Sequence, residues 1–305
     1  MNARAVRTPL ARTRRSRAGA AAAALAAVLG GALALAGCAA PAAGTTAPGA
    51  SGATVSSLPG AHVHGIAATG DGSTVLIGTH QGVYDVSGAE PERISATDDF
   101  MGFVGDPSGT LWASGHPGPG SSRPNPLGLL RSTDGGRTWT AVSNGGVSDF
   151  HALAVTKSGL VGFDGALKRT TTGEAWTAVS SSLHPAVLAG HPSTDTVLAT
   201  TEKGLFASRD GGTTWLAVPS APLIQFAAFA DARRVVGVAP DGAVYSSADA
   251  GVSWTRLGEA GKGVDAVTAV AAPGQPVRVL VATESGLLES RDGGATFAAC
   301  EPGRP

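Results

Sequence analysis

The sequence predicts an all-β protein built from six four-stranded units, and three observations carry that expectation. A phrase reading Ser-x-Asp-x-Gly-x-Thr-Trp recurs, with Ser132-Thr133-Asp134-Gly135-Gly136-Arg137-Thr138-Trp139 as its best copy. Further copies run Arg169 to Trp176, Ser208 to Trp215, Ser247 to Trp254 and Ser290 to Phe297, so the closing aromatics stand 37, 39, 39 and 43 residues apart. Such a period, made of short apolar runs and turns, is that of a repeated sheet unit. No apolar segment with helical spacing follows residue 60, and the 44 glycines suit many tight turns.

Each copy of the phrase reads as a hairpin turn. It follows a glycine and a short strand, as in Gly128-Leu129-Leu130 or Gly204-Leu205-Phe206, and precedes another, such as Trp139-Thr140-Ala141-Val142. The Asp carboxylate can accept N–H groups of its own turn, the Gly can take φ > 0, and the aromatic can pack back over the hairpin. Two more strands lie upstream in each unit, for example Phe150 to Val155 and Leu160 to Phe163, or Ile224 to Phe229 and Val235 to Val238. A unit without the phrase runs from His62 to about Ile94 through Val75-Leu76-Ile77-Gly78 and Gly82-Val83-Tyr84. That makes six units of four strands, the size of a propeller blade. Ala53-Thr54-Val55 can add an edge strand, which leaves seven blades as the alternative.

The phrase resembles the Asp-box, or bacterial neuraminidase repeat, of β-propellers such as sialidases, sortilin-type receptors and photosystem assembly factors. The resemblance implies a β-propeller over residues 61–300, with a tail at 301–305. It also implies a structural role for Asp134, Asp210, Asp249 and Asp292 and for Trp139, Trp176, Trp215, Trp254 and Phe297. The second copy departs most, with Arg169 at the Ser position and Thr171 at the Asp position; the last ends in Phe297. Sialidases of this superfamily use three Arg, a Tyr nucleophile with a Glu, and an Asp acid/base. Here Arg131, Arg169, Arg209 and Arg291 fall in or beside the box turns, and Tyr84 and Tyr245 fall on third strands. No arginine triad carries over, and sialidase activity is not expected.

The first 37 residues are a different material. Six Arg precede an uncharged run from Ala18 to Leu35, the pattern of an export signal. The run ends Leu35-Ala36-Gly37-Cys38, which resembles the lipobox of bacterial lipoproteins and implies lipidation of Cys38. An uncleaved membrane span is the other reading of the run. Arg14-Arg15 leaves the export route open between general and twin-arginine transport. Residues 38–60 then read as a lipidated Cys and a flexible Ala/Pro/Gly/Ser/Thr tether of roughly 25 Å root-mean-square span. The expected location is the outer face of the cell membrane, through the lipid.

Six of the 22 Lys and Arg lie in the leader and none of the 23 acids does, so the remainder holds 16 basic residues and a formal charge of −7. A mildly acidic body argues against nucleic acid as a partner. With Cys38 committed to lipid, Cys300 is left without a disulfide partner and reads as a small buried apolar residue.

In a propeller the starts of first strands and the ends of second strands share one face, and the box turns lie at the other. Starts carry His62, His64, Asp98, Asp99, Asp149, His151 and Asp265; ends carry His80, His116, Asp164, Glu202, Asp241 and Glu284. Five of the seven His fall at these positions, all in the first three blades. Three readings stand: a hydrated polar mouth, a site for a polar ligand such as a glycan, and a metal site. The ligand reading takes His62, His64, His80, Asp99, His116, Asp149, His151 and Asp164. The metal reading starts from His62-x-His64, whose rings share a side of an alternating strand and suit a divalent ion. A glycoside hydrolase needs two spaced carboxyl groups, with Asp99, Asp149 and Asp164 as candidates. An insertion in the second blade, from His116 to Pro126, is expected to overhang the same mouth, as a lid or ligand-contacting loop or as a tolerated surface insertion. The expected role is a binding or scaffold module at the cell envelope, for a glycan or an envelope protein, with a glycoside hydrolase and a metal-binding propeller as alternatives.

Overall fold

The computed structural model describes residues 58–59 and 62–300. The export signal, Cys38, most of the tether and the tail at 301–305 lie outside the described residues, as does Ala53-Thr54-Val55. The described chain forms 24 strands, numbered β1 to β24 in chain order and four to a sheet. Each sheet is antiparallel, sequential and drawn from one contiguous segment: 63–93, 99–143, 152–178, 187–217, 226–259 and 264–299.

The first strands are β1 (Val63–Ala68), β5 (Asp99–Gly105), β9 (Ala152–Thr156), β13 (Val187–Ala189), β17 (Phe226–Phe229) and β21 (Val264–Val270). Each lies against the first strand of the next sheet, and β21 lies against β1. The fold is therefore a closed six-bladed β-propeller, and the ring leaves no place for the seventh blade held open above. Two-sided burial explains the second strands, which read as near-continuous apolar runs: β2 (Val75–Thr79) and β18 (Val235–Val238) are buried throughout.

Among the described residues each blade is drawn from one contiguous segment, and the last blade meets the first mainly by side-chain packing. Val63 and Ile77 of the first blade pack with Leu280, Leu287 and Cys300 of the last, and Leu58 covers the cluster. Arg278 adds a hydrogen bond to the Gly72 carbonyl across the same seam. Cys300 is thus a core residue, and burial raises its thiol pKa, aided by the negative charge of Glu289.

The recurring phrase forms the turn between third and fourth strands. Ser132 Oγ donates to Asp134 Oδ1 at 2.8 Å and accepts the Gly136 N–H at 2.9 Å. Asp134 in turn accepts the Thr138 N–H at 3.0 Å and its hydroxyl at 2.6 Å, and Trp139 Nε1 donates to the Gly136 carbonyl at 3.0 Å. The same bonds recur around Asp210 and Asp249, and around Asp292 except for the ring bond, since the Phe297 ring has no N–H. Gly136 sits at φ +83°, and an added Cβ would lie 3.2 Å from Leu111 and 3.3 Å from Val83 of the preceding blade. The turn therefore also seals the joint between blades.

The second copy is registered differently from the sequence reading. Strand β11 (Leu167–Thr170) ends at Thr170, where the others end at the buried Ser, and the Thr170 hydroxyl accepts the Gly173 N–H at 2.9 Å. Thr170, not Arg169, takes the Ser position, in a turn one residue shorter. Trp176 Nε1 then donates to Ser143 Oγ of the preceding blade at 3.0 Å, and Ser143 donates to the Gly173 carbonyl at 2.6 Å.

Candidate functional site

The strand starts and ends gather at one end of the ring. Val63 opens β1 opposite Thr79, which closes β2, so His64 and His80 meet. Asp99 opens β5 directly opposite His116, the last residue of β6 (Leu111–His116). The His151 N–H donates to the carbonyl of Phe163, which ends β10 (Gly159–Phe163), at 3.0 Å.

Local backbone irregularity aims the side chains. On β1, pairing passes from Val63↔Thr79 to Gly65↔Gly78, so His64 is the extra residue of a bulge. Asp265 holds the same place on β21, between the Val264↔Thr283 and Ala266↔Ala282 pairs. The residue after His64 has to be Gly: a Cβ on Gly65 would come within 2.4 Å of the Phe103 carbonyl oxygen on the neighbouring first strand. His62 lies before β1, so simple alternation does not relate the two rings; they meet edge to face with centroids 5.1 Å apart.

Two groups result. In the first, His64 Nε2 is 3.4 Å from His80 Nδ1, which is 3.0 Å from Asp99 Oδ1, and His64 Nε2 is 3.8 Å from that same oxygen. His62 stacks on His80 at 6.0 Å, with Nδ1 turned to Asp265 Oδ1 at 3.6 Å. Burial lowers the His64 pKa to about 4; His80 and His62 push the same way and the Asp99 charge opposes them, so the ring is neutral at pH 7. In the second group, Asp149 Oδ2 is 2.6 Å from His151 Nε2 and 3.2 Å from His116 Nε2. Asp149 Oδ1 is buried and has no hydrogen-bond partner among the described residues.

Asp164 does not join either group through its side chain. Lys168, on β11 of the same blade, donates to its Oδ2 at 2.6 Å. Asp98 is also spoken for. It accepts the Gly118 N–H at 2.9 Å and faces Arg123 Nε at 3.7 Å, and Arg123 donates to the Trp139 carbonyl at 2.8 Å. The insertion is thereby pinned beside the mouth, and its Asn125 Oδ1 lies 2.8 Å from His116 Nδ1. Sequence reading named neither Asn125 nor the Asp265–His62 contact as part of the site. Asp265 stood at a strand start, but nothing local marks Asn125.

Below the mouth runs a channel of about 630 Å³ lined by the first strands of the blades. His64, His151 and Asp265 border it at the mouth, and small or apolar residues such as Ala152, Ala227 and Ala266 line its wall. Burial raises the Asp265 carboxyl pKa, with the neighbouring charge of Glu284 adding and His62 opposing.

Comparison with solved structures places the fold. A GH74 xyloglucanase from Xanthomonas campestris matches with TM-score 0.55 and 17% identity, over 78% of this chain and 38% of that one. A GH74 enzyme from Niastella koreensis matches with TM-score 0.54 and 20% identity, over 80% of this chain and 46% of that one. An ancestral GH74 enzyme matches with TM-score 0.50 and 16% identity, over 75% of this chain and 36% of that one. The chain spans less than half the length of each of these proteins. At these identities the likeness is one of fold, and no site residue transfers through it. No protein-family model and no curated protein matches the chain.

Proposed function

We propose that this chain is an exported, lipid-anchored propeller of the Asp-box type that binds a polar ligand, of glycan character, at the His-lined mouth. One observation carries the reading. His62, His64, His80, His116 and His151, from three blades, converge with Asp99 and Asp149 above an open channel, and their side chains mainly face one another. Side chains that serve only the fold, such as Asp98, are tied to backbone and loop; here the exposed rings of His62, His80, His116 and His151 surround the more buried His64, Asp99 and Asp149 in a concave setting. The lipobox-like Leu35-Ala36-Gly37-Cys38 and the uncharged segment after it support placement at the membrane surface.

Binding is favoured over hydrolysis because the carboxylates proposed for chemistry already have partners. Asp99 faces His80, Asp149 faces two imidazoles and Asp164 is ion-paired with Lys168. One observation favours the glycoside hydrolase reading: the raised pKa of Asp265 at the channel is what a general acid needs.

The test uses the full-length chain in detergent on a panel of neutral, acidic and amino oligosaccharides, with aryl glycosides assayed alongside. Saccharide binding that is lost in the His116→Ala/His151→Ala variant, without turnover, is the expected result. Turnover abolished by Asp265→Asn would replace binding with hydrolysis. Failure to retain any saccharide sinks the glycan assignment.

A further inference from the structure

We propose that His64, His80 and Asp99 form a site for one divalent transition cation of the zinc type. The proposal goes beyond ligand binding and stands separately from it, because its test uses the metal alone.

Hydrogen bonding satisfies this trio poorly. Three heteroatoms, His64 Nε2, His80 Nδ1 and Asp99 Oδ1, face one another at 3.4, 3.0 and 3.8 Å. The ionised carboxylate can only accept, and a ring nitrogen carries one proton or one lone pair. A proton on His80 Nδ1 serves the carboxylate at 3.0 Å and leaves the His64 nitrogen a distant second acceptor. A proton on both nitrogens sets N–H against N–H. No neutral arrangement makes good use of all three contacts, whereas a cation among them accepts a lone pair from each.

The dimensions fit. Zinc–nitrogen and zinc–oxygen bonds of about 2.0–2.1 Å imply tetrahedral edges of roughly 3.3–3.4 Å. The three observed separations bracket that length, and the three ligand atoms all lie within 4.8 Å of one another. Two imidazoles and one carboxylate select zinc, nickel or copper over magnesium or calcium, which prefer all-oxygen shells. The fourth position would be left to water or a ligand, and His64 borders the channel.

The scaffold holds the ligands without help from loose loops. His64 is set by the β1 bulge, His80 directly follows β2, and Asp99 opens β5 of the next blade. His62 is a neighbour and not a ligand: its Nδ1 faces Asp265, and its ring stacks on His80 and holds that ring in orientation. In place of the His62-x-His64 pair read from sequence, the proposed ligands are His64 on β1, His80 in the turn after β2 and Asp99 on β5.

The experiment strips the full-length, untagged chain with a chelator and titrates it with Zn²⁺, Co²⁺, Mg²⁺ and Ca²⁺ by equilibrium dialysis and calorimetry. One equivalent of Zn²⁺ should bind, Mg²⁺ and Ca²⁺ should not, and Co²⁺ should give the intense visible bands of four-coordination. His80→Ala, at an exposed side chain, and Asp99→Asn should each weaken Zn²⁺ binding about 100-fold or more, while His184→Ala should leave it unchanged. Absence of stoichiometric binding overturns the proposal. So does binding that survives both His80→Ala and Asp99→Asn, or that is lost only in His116→Ala.

Discussion

His80 Nδ1 lies 3.0 Å from Asp99 Oδ1 across the joint between the first and second blades. His80 directly follows one strand and Asp99, 19 positions later, opens another, and they face each other only because neighbouring blades are splayed around a common axis. The contact is partly exposed, so its own contribution to stability is small. In metal-free buffer, a double-mutant cycle of His80→Ala and Asp99→Ala should give a coupling of about 0.5–1 kcal/mol by denaturant unfolding. A coupling near zero would make the two side chains mere neighbours.

Trp139, 8% exposed, joins the apolar cluster shared by the same two blades, with Leu76 and Val83 of the first and Phe100 of the second, and its ring is tilted against Phe100 with centroids 5.0 Å apart. Trp139→Ala should cost about 3–5 kcal/mol. A midpoint shift in guanidinium unfolding measures it; a loss under 1 kcal/mol would remove the turn aromatic from the packing account.

The second turn gives a test of register. Thr170 is 5% exposed and its hydroxyl caps Gly173, whereas Arg169 reaches only Thr213 at the surface. Thr170→Val should cost about 1–2 kcal/mol and Arg169→Ala no more than about 0.5 kcal/mol. The reverse order in thermal melts would restore the sequence-based register.

Acid should loosen the rim. The Thr138 hydroxyl and amide hold Asp134 at about 2, and those of Thr296 do the same for Asp292. At Asp210 burial works against the shift, and the Thr214 amide and hydroxyl outweigh it to reach about 2. The Ser253 hydroxyl and amide hold Asp249 lower still. These folded values lie below the ordinary 3.8, so the unfolded chain takes up protons first as pH falls. The stabilisation is complete above pH 4 and is lost as pH falls from 4 toward 2. Because the carboxylates are exposed, the effect per site is modest, and the sum over four turns is what a pH series of melts should register. A Tm that stays flat from pH 5 to 2 would contradict it.

If Cys38 carries lipid, the full chain should partition into the detergent phase of a cloud-point separation and Cys38→Ser should not be matured. Equal partition of the two forms into the aqueous phase would remove the anchor.

Much of the architecture was legible along the chain. Each hairpin is a local event: Ser208, Asp210, Gly212 and Trp215 satisfy one another within eight residues, so their spacing is enough to announce the turn. Five such units followed from repetition and a sixth from its strand pattern, with seven left open, and the placement of His and Asp at one mouth was an inference from propeller geometry. The weak spot was the degenerate copy, where Thr170 replaces a Ser one position later and the turn shortens by a residue.

Partner choice was not legible. His64 meets His80 and Asp99 because a bulge adds one residue to β1 and because Gly65 lets two backbones approach; neither leaves a trace in a period-two pattern. Asn125 reaches His116 only because Asp98 and Arg123 fold the insertion back. By itself the sequence determined the repeat, the turns and the ends of strands on which the polar residues sit, because those depend on neighbours a few positions apart. The tertiary structure alone decided that the ring closes at six and which imidazole faces which carboxylate. Those outcomes depend on packing between blades far apart in sequence, and that geometry is a property of the closed ring.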